Sequence, residues 1–148
     1  MQVQDIMTKN VLTVRPETTV REVAEILVSH KISGVPVVEE DGSLVGIVSE
    51  GDLMSKEILP EPPAEFCILG AVIYYNSLRE FKDAFSRMAA NTAEALMTKK
   101  VVTVKSYDDV SDVARIMRDK HIKRVPVLDD EGHLIGIVSR QDIVKMLL

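Results

Sequence analysis

Two Ser-x-x-Asp strings, Ser49-Glu-Gly-Asp52 and Ser139-Arg-Gln-Asp142, each place a carboxylate three residues after a hydroxyl. A carboxylate in such a position can accept protons from two neighbouring hydroxyls, and charge-assisted bonds of this kind contribute about 1.5–3 kcal/mol each. The same string ahead of an apolar run is equally a helix cap, with the acid favoured by the helix dipole. Both roles are compatible, because a helix N-terminus is itself an anion site. Lys123-Arg124 precede Val125-Pro126 as a basic pair, which by itself suits a solvated surface. His30, His121 and His133 do not fall at a metal-ligand spacing with other His, Cys or acidic residues, so no metal site is expected. Cys67, the single cysteine, lies in an apolar run without a base partner and reads as a buried, inert thiol. No GxSxG, P-loop or HExxH string is present, and catalysis has no support.

The elements that must position these residues occur twice. Shifted by 90, the sequence aligns with itself without a gap, giving 21 identities in the 49 pairs between 5–53 and 95–143. Met7-Thr8-Lys9 falls on Met97-Thr98-Lys99, Val35-Pro36-Val37 on Val125-Pro126-Val127, and Asp52 on Asp142. Within each copy the β-branched runs Val11–Val14 and Val101–Val104 predict strands. Thr19-Val-Arg-Glu22 is a capping box, followed by apolar residues at helical spacing from Val20 to Leu27. Asp109 caps the matching helix, with Val110, Val113, Ala114, Ile116 and Met117 on its apolar face. Two strands follow in each copy, Val35–Val38 with Leu44–Ser49 and Val125–Leu128 with Leu134–Ser139. Asp41-Gly42 and Glu131-Gly132 join them as hairpins. A closing helix starts at Glu50 in one copy and Arg140 in the other. The fold class is therefore α+β, two β-α-β-β-α repeats packed sheet to sheet about a pseudo-two-fold axis. A unit of about 50 residues buries too little surface to stand comfortably alone, and its pairing leaves clefts between the copies.

Composition narrows the function classes. The chain has 148 residues, with 18 Lys and Arg against 23 Asp and Glu, for a net charge of −5. That balance argues against nucleic-acid binding, which needs a cationic footprint. The length excludes a (β/α)8 barrel, which needs roughly 250 residues. The longest apolar stretch, Phe66–Tyr75, is too short for a membrane helix. Met1–Asp5 lacks the basic flank and apolar run of a signal peptide. A soluble cytoplasmic protein without a membrane partner is expected.

Asp5-Ile-Met-Thr, the Val-Pro-Val strand, and Gly-Ile-Val-Ser-x-x-Asp followed by Leu or Ile resemble the CBS domain, in duplicate. A tandem pair is called a Bateman module. The resemblance covers 1–58 as repeat 1 and 92–148 as repeat 2, leaving 59–91 as an insert. It implies no required cofactor, but an adenosine-containing regulatory ligand (AMP, ADP, ATP or S-adenosylmethionine) in the cleft between repeats. It also implies a homodimer of modules acting on an unidentified regulated protein. By the same resemblance Asp52 and Asp142 accept ribose hydroxyls, while Ser49 and Ser139 approach phosphate. Lys123 and Arg124 resemble phosphate contacts; copy one has uncharged Ser33-Gly34 there, which predicts unequal sites, one phosphate-gripping and the other weaker, uncharged or empty. Val35 and Val125, each before a proline (Pro36, Pro126), resemble adenine contacts, against simple edge-strand packing. Thr13, Val14, Thr103 and Val104 resemble the segment lining the adenine pocket, against ordinary strand residues. Gly46 and Gly136, inside strands, mark close packing of sheet and helix.

The insert opens with Leu59-Pro-Glu-Pro-Pro63, an extended stretch. Ser77-Leu-Arg-Glu80 then predicts a helix from Leu78 to about Ala90, with Phe81, Ala84, Phe85 and Met88 on one face. Five of the six aromatic residues lie in this insert. They either cover an exposed flank or form a partner interface. The chain reads as a non-enzymatic regulatory module; the alternative is a ligand-free structural dimerisation module whose Ser-x-x-Asp strings are only caps.

Overall fold

Thr19 caps the first long helix as its sequence predicts. Its Oγ accepts from the Glu22 amide at 3.2 Å, and Glu22 Oε2 accepts from the Thr19 amide at 2.9 Å. The helix runs Val20–Ser29 and buries Val23 and Leu27. Thr19→Ala is expected to cost about 1 kcal/mol of stability, read by urea denaturation, because the Glu22 amide loses its acceptor. The matching helix, Val110–Asp119, starts at Asp109, whose side chain accepts from the Ser111 amide. Both helices end through a left-handed residue, Lys31 at φ 52° and His121 at φ 54°.

The computed structural model describes residues 1–57, 65–68, 71–74, 82, 86 and 89–148. In the first repeat, β1 (Gly34–Val38) pairs antiparallel with β2 (Leu44–Ser49), and the helix Glu50–Glu57 follows. β3 (Glu65–Ile68) and β4 (Ala71–Tyr74) form a separate antiparallel pair in the insert. In the second repeat, β5 (Val104–Lys105) pairs in parallel with β6 (Arg124–Leu128), β6 pairs antiparallel with β7 (Leu134–Ser139), and the helix Arg140–Lys145 closes the unit. The two hairpins share one register, Gly34 opposite Ser49 and Arg124 opposite Ser139, with an irregularity at Val37/Val38 and Val127/Leu128. Gly42 (φ +89°) and Gly132 (φ +90°) turn them, a conformation glycine adopts without a Cβ penalty. The chain thus mixes helices and strands, with one sheet in each repeat and the β3–β4 pair as a third. No helix among the described residues is long and apolar enough to cross a membrane.

The strands expected over 11–14 and 101–104 are much shorter. Only Val14 is tied to the first sheet: its amide donates to Pro36 O and its carbonyl accepts from the Val38 amide. Its counterpart is the two-residue β5. The preceding residues are drawn elsewhere, because Thr8 exchanges backbone bonds with Ile137 at 2.9 and 3.0 Å. Thr98 does the same with Ile47, at 2.9 and 3.1 Å.

Those bonds belong to a reciprocal exchange. Two short helices that the repeat pattern did not flag, Val3–Ile6 and Ala93–Leu96, each pack on the opposite repeat. Val3, fully buried, joins Val104, Val113, Met117, Val125, Val127 and Val138 in the second core. Ala93 and Leu96 join Val23, Leu27, Val35 and Val48 in the first. The lashings are symmetric: the Val3 amide donates to Asp108 O and the Ala93 amide to Thr18 O, at 2.9 and 2.8 Å. Burying a side chain such as Leu96 contributes about 1.5–3 kcal/mol. Neither unit has a closed core without the other repeat's leading helix.

Of the helix expected over 78–90, Lys82, Ser86 and Ala89 are helical and exposed. Phe81, Ala84, Phe85 and Met88, with the Pro-rich stretch 59–63, lie outside the described residues. The side-chain surroundings of Cys67 lie outside them as well.

Candidate functional site

Two clefts open where the repeats meet, each built from both. The first, about 460 Å3, has Ser49, Glu50 and Asp52 on one wall and Lys100, Val101, Val102, Lys123 and Arg124 of the second repeat on the other. The second, about 370 Å3, has Ser139, Gln141, Asp142 and Lys145 on one wall and Asn10, Val11, Leu12, Lys31, Gly34 and Pro36 of the first repeat on the other. Both volumes lie in the range that encloses small molecules. Most residues lining one cleft have their counterparts 90 positions away in the other. This follows from the exchange: the turn of chain after Thr8 or Thr98, having paired with the opposite sheet, passes in front of that sheet's own Ser-x-x-Asp.

Both carboxylates are caps. Asp52 Oδ2 accepts from the Ser49 amide at 2.8 Å and from Ser49 Oγ at 3.1 Å. Asp142 Oδ2 accepts from the Ser139 amide at 2.8 Å and from Ser139 Oγ at 2.7 Å. Each aspartate amide in turn donates to the serine hydroxyl, at 3.4 and 3.3 Å. The carboxylates are thereby held fixed at the cleft walls. Asp52 is 9% exposed. On Asp142, the other oxygen lies 4.0 Å from Lys145 Nζ.

Arg124 occupies the junction of the two clefts. It and Ser33 line both of them, and its guanidinium donates to Ser33 Oγ. It lies against Gly34, its own counterpart in the repeat alignment; a Cβ on Gly34 would fall inside the guanidinium. Burial pushes the Arg124 guanidinium below its usual range, and the charges of Glu50 and Asp52 act against that shift. It remains a cation, since arginine does not deprotonate in proteins.

The expected residues divide between these places. Ser49, Asp52, Lys123 and Arg124 come together in the first cleft, and Gly34, Pro36, Arg124, Ser139 and Asp142 in the second. Val35 and Val125 are fully buried in the two cores, and Pro126 lies on the buried strand β6, outside both linings. Thr13 and Val14 line a different surface cavity, beside Glu22, Ile26 and His30. Thr103 is exposed outside both clefts, and Val104 belongs to the second core. Sequence reasoning missed Asn10, Lys31, Lys100, Gln141 and Lys145. The pair Asn10/Lys100 could have been found by reading on from the matched Met-Thr-Lys strings. The clefts are unequal in size, but the uncharged Ser33-Gly34 does not leave its side without cations, because Lys31 and Lys145 supply them.

Gly46 and Gly136 serve packing. A Cβ on Gly46 would meet Met97 Cγ at 2.7 Å, and one on Gly136 would meet Met7 Sδ at 2.6 Å. Contrary to the spacing read for His133, the structure brings it beside two acidic residues: Asp129, Glu131 and His133 have ligating atoms within 4.8 Å of one another. The hairpin turn accounts for it, since Asp129 Oδ1 accepts from the amides of Glu131 and His133 and Oδ2 meets His133 Nδ1 at 3.2 Å.

The protein MJ1426 of Methanocaldococcus jannaschii is 35% identical, all of this chain aligning with 92% of that one. The chloroplastic protein CBSX2 of Arabidopsis thaliana is 30% identical over 99% of this chain, which spans 63% of its length. The crystal structure of CBSX2 in complex with AMP matches with a TM-score of 0.82 at 30% identity, covering 99% of this chain and 95% of that one. The CBS domain pair of protein MJ0100, in complex with 5′-methylthioadenosine and S-adenosyl-L-methionine, matches with a TM-score of 0.76 at 28% identity over both whole chains. The CBS domain family model matches twice, over residues 3–58 and 93–148, and the chain belongs to that family as a tandem pair.

Proposed function

We propose that this chain is a non-catalytic regulatory module that binds an adenosine-containing ligand between its repeats. One observation carries the reading: each inter-repeat cleft sets a rigidly capped aspartate on one wall opposite cationic side chains from the other repeat. A ribose has adjacent hydroxyls for the carboxylate, and a phosphate or other anionic group has Lys100, Lys123, Lys31 or Lys145 within the same cavity. Val101 and Val102, or Val11 and Leu12, offer an apolar wall to a base. The structural neighbours crystallised with AMP, or with 5′-methylthioadenosine and S-adenosyl-L-methionine, support this class of ligand. AMP, ADP, ATP and S-adenosylmethionine are the candidates. Occupancy acts by favouring one packing of the repeats over another, which requires different affinity for the two. A cytoplasmic homodimer with a regulated partner completes the reading, on the strength of the family.

The caps favour a second reading, a ligand-free dimerisation module, since the hydrogen bonds within each Ser-x-x-Asp string already occupy one oxygen of each carboxylate. Calorimetric titration of nucleotide-free protein with AMP, ADP, ATP, S-adenosylmethionine, NAD and GMP separates the two. Adenosine compounds should bind and GMP should not. Asp142→Asn, which keeps an oxygen for the cap but loses the charge, should weaken binding at the second cleft roughly tenfold. Absence of binding by every adenosine compound overturns the regulatory reading and leaves the structural module.

A further inference from the structure

Arg124 and Ser33 are the residues common to both cleft linings among those described, and Arg124 alone of the two carries charge. The charge in each cavity gives this sharing a consequence. Without Arg124 the first cleft sets Lys100 and Lys123 against Glu50 and Asp52, leaving no net charge for an anion. The second sets Lys31 and Lys145 against Asp142, a surplus of one. The guanidinium lies between them, held by Ser33 Oγ and resting where Gly34 leaves room, while Glu50 and Asp52 attract it from the first cleft. A guanidinium presents its five donors in one plane and serves a single phosphate well in a bidentate arrangement. It also carries only one positive charge, so a phosphate drawn against it from one cleft neutralises that charge for a phosphate in the other.

We infer that Arg124 is a specificity-determining residue shared by the two clefts, so that a phosphate-bearing ligand in one withdraws it from the other and weakens a second such ligand there. An adenosine ligand without phosphate makes no demand on Arg124, and its two binding events are not coupled in this way. The inference rests on the adenosine-ligand reading above. It assigns the module a preference for one phosphate-bearing ligand at a time, with an uncharged adenosyl ligand free to fill the remaining cleft.

The test isolates each cleft by calorimetry, with AMP as the anionic probe and adenosine as the uncharged one. Asp52→Asn weakens the first cleft so that AMP binding reports the second, and Asp142→Asn does the converse. Adding Arg124→Gln should lower AMP affinity about tenfold in each of the two backgrounds and leave adenosine affinity unchanged in both. Gly34→Ala is the second variant: its Cβ takes the space of the guanidinium on the side of the second cleft. It should weaken AMP in the Asp52→Asn chain and not in the Asp142→Asn chain. Loss of AMP affinity in only one background with Arg124→Gln would show a dedicated arginine and overturn the sharing, with the adenosine-ligand reading intact. Failure of the unsubstituted chain to bind either AMP or adenosine overturns the adenosine-ligand reading itself, and this inference with it.

Discussion

Leu96→Ala will destabilise the chain by about 2–5 kcal/mol, and the damage will register in the first repeat although residue 96 belongs to the second. Leu96 is 1% exposed and packs in the core formed by Val23, Leu27, Val35 and Val48. Truncation removes its burial and leaves a cavity that its short helix, Ala93–Leu96, is too firmly lashed to fill. That helix is held by backbone bonds to Thr18 O and Pro16 O at 2.8 and 2.9 Å. Urea denaturation gives the loss of stability. Methyl spectra give its place: Val23, Leu27 and Val35 should shift most, and Val113, Met117 and Val125 least. Shifts centred on Met117 and Val125 would contradict the exchange of leading segments.

Gly46→Val will cost about 2–3 kcal/mol, and Met97→Ala in the same chain will recover much of it. The cause is space. A Cβ at position 46 overlaps the Met97 side chain, with Met97 Cβ only 3.0 Å away, so the added branches force Met97 off the strand surface. The displacement also pulls on Thr98, whose two bonds to Ile47 join the repeats there. A double-mutant cycle measures the coupling, and additive losses would sink the explanation. The counterpart Gly136→Val should be recovered less by Met7→Ala. There the Thr8 carbonyl, a backbone group, also stands 3.2 Å from the added Cβ.

Much of this fold is legible in the sequence because its signals are local. The offset of 90, the capping box Thr19–Glu22, the acidic-Gly turns at Gly42 and Gly132, and the helix starts at Glu50 and Arg140 are all found where the residues place them. The exchange is not legible, because a repeat shows which residues correspond and says nothing about which copy they pack against. Met7 and Met97 correspond in the alignment, yet each lies on the other repeat's glycine. The same blindness shortened the strands expected over 11–14 and 101–104, whose leading residues turn toward the opposite unit. At the site, Ser-x-x-Asp carries its own local bonding pattern and could be read directly. Lys31 and Lys145 could not, since nothing near them in sequence distinguishes them from other surface lysines. Only the three-dimensional closure of the clefts does.

The pairing of Arg124 with Gly34 also bears on why two copies in one chain differ from two identical chains. In an assembly with an exact two-fold axis, a residue on the axis meets its own duplicate. Arginine there would meet arginine, with like charges in contact, and glycine would meet glycine, with no cation at all. Covalent duplication removes that restriction, because the two positions are encoded separately. The contacts Arg124 with Gly34 and His133 with Ser43 are heterologous pairs that a symmetric homodimer cannot make. A single guanidinium between the two clefts is therefore an arrangement that an assembly of two identical halves about an exact axis cannot hold.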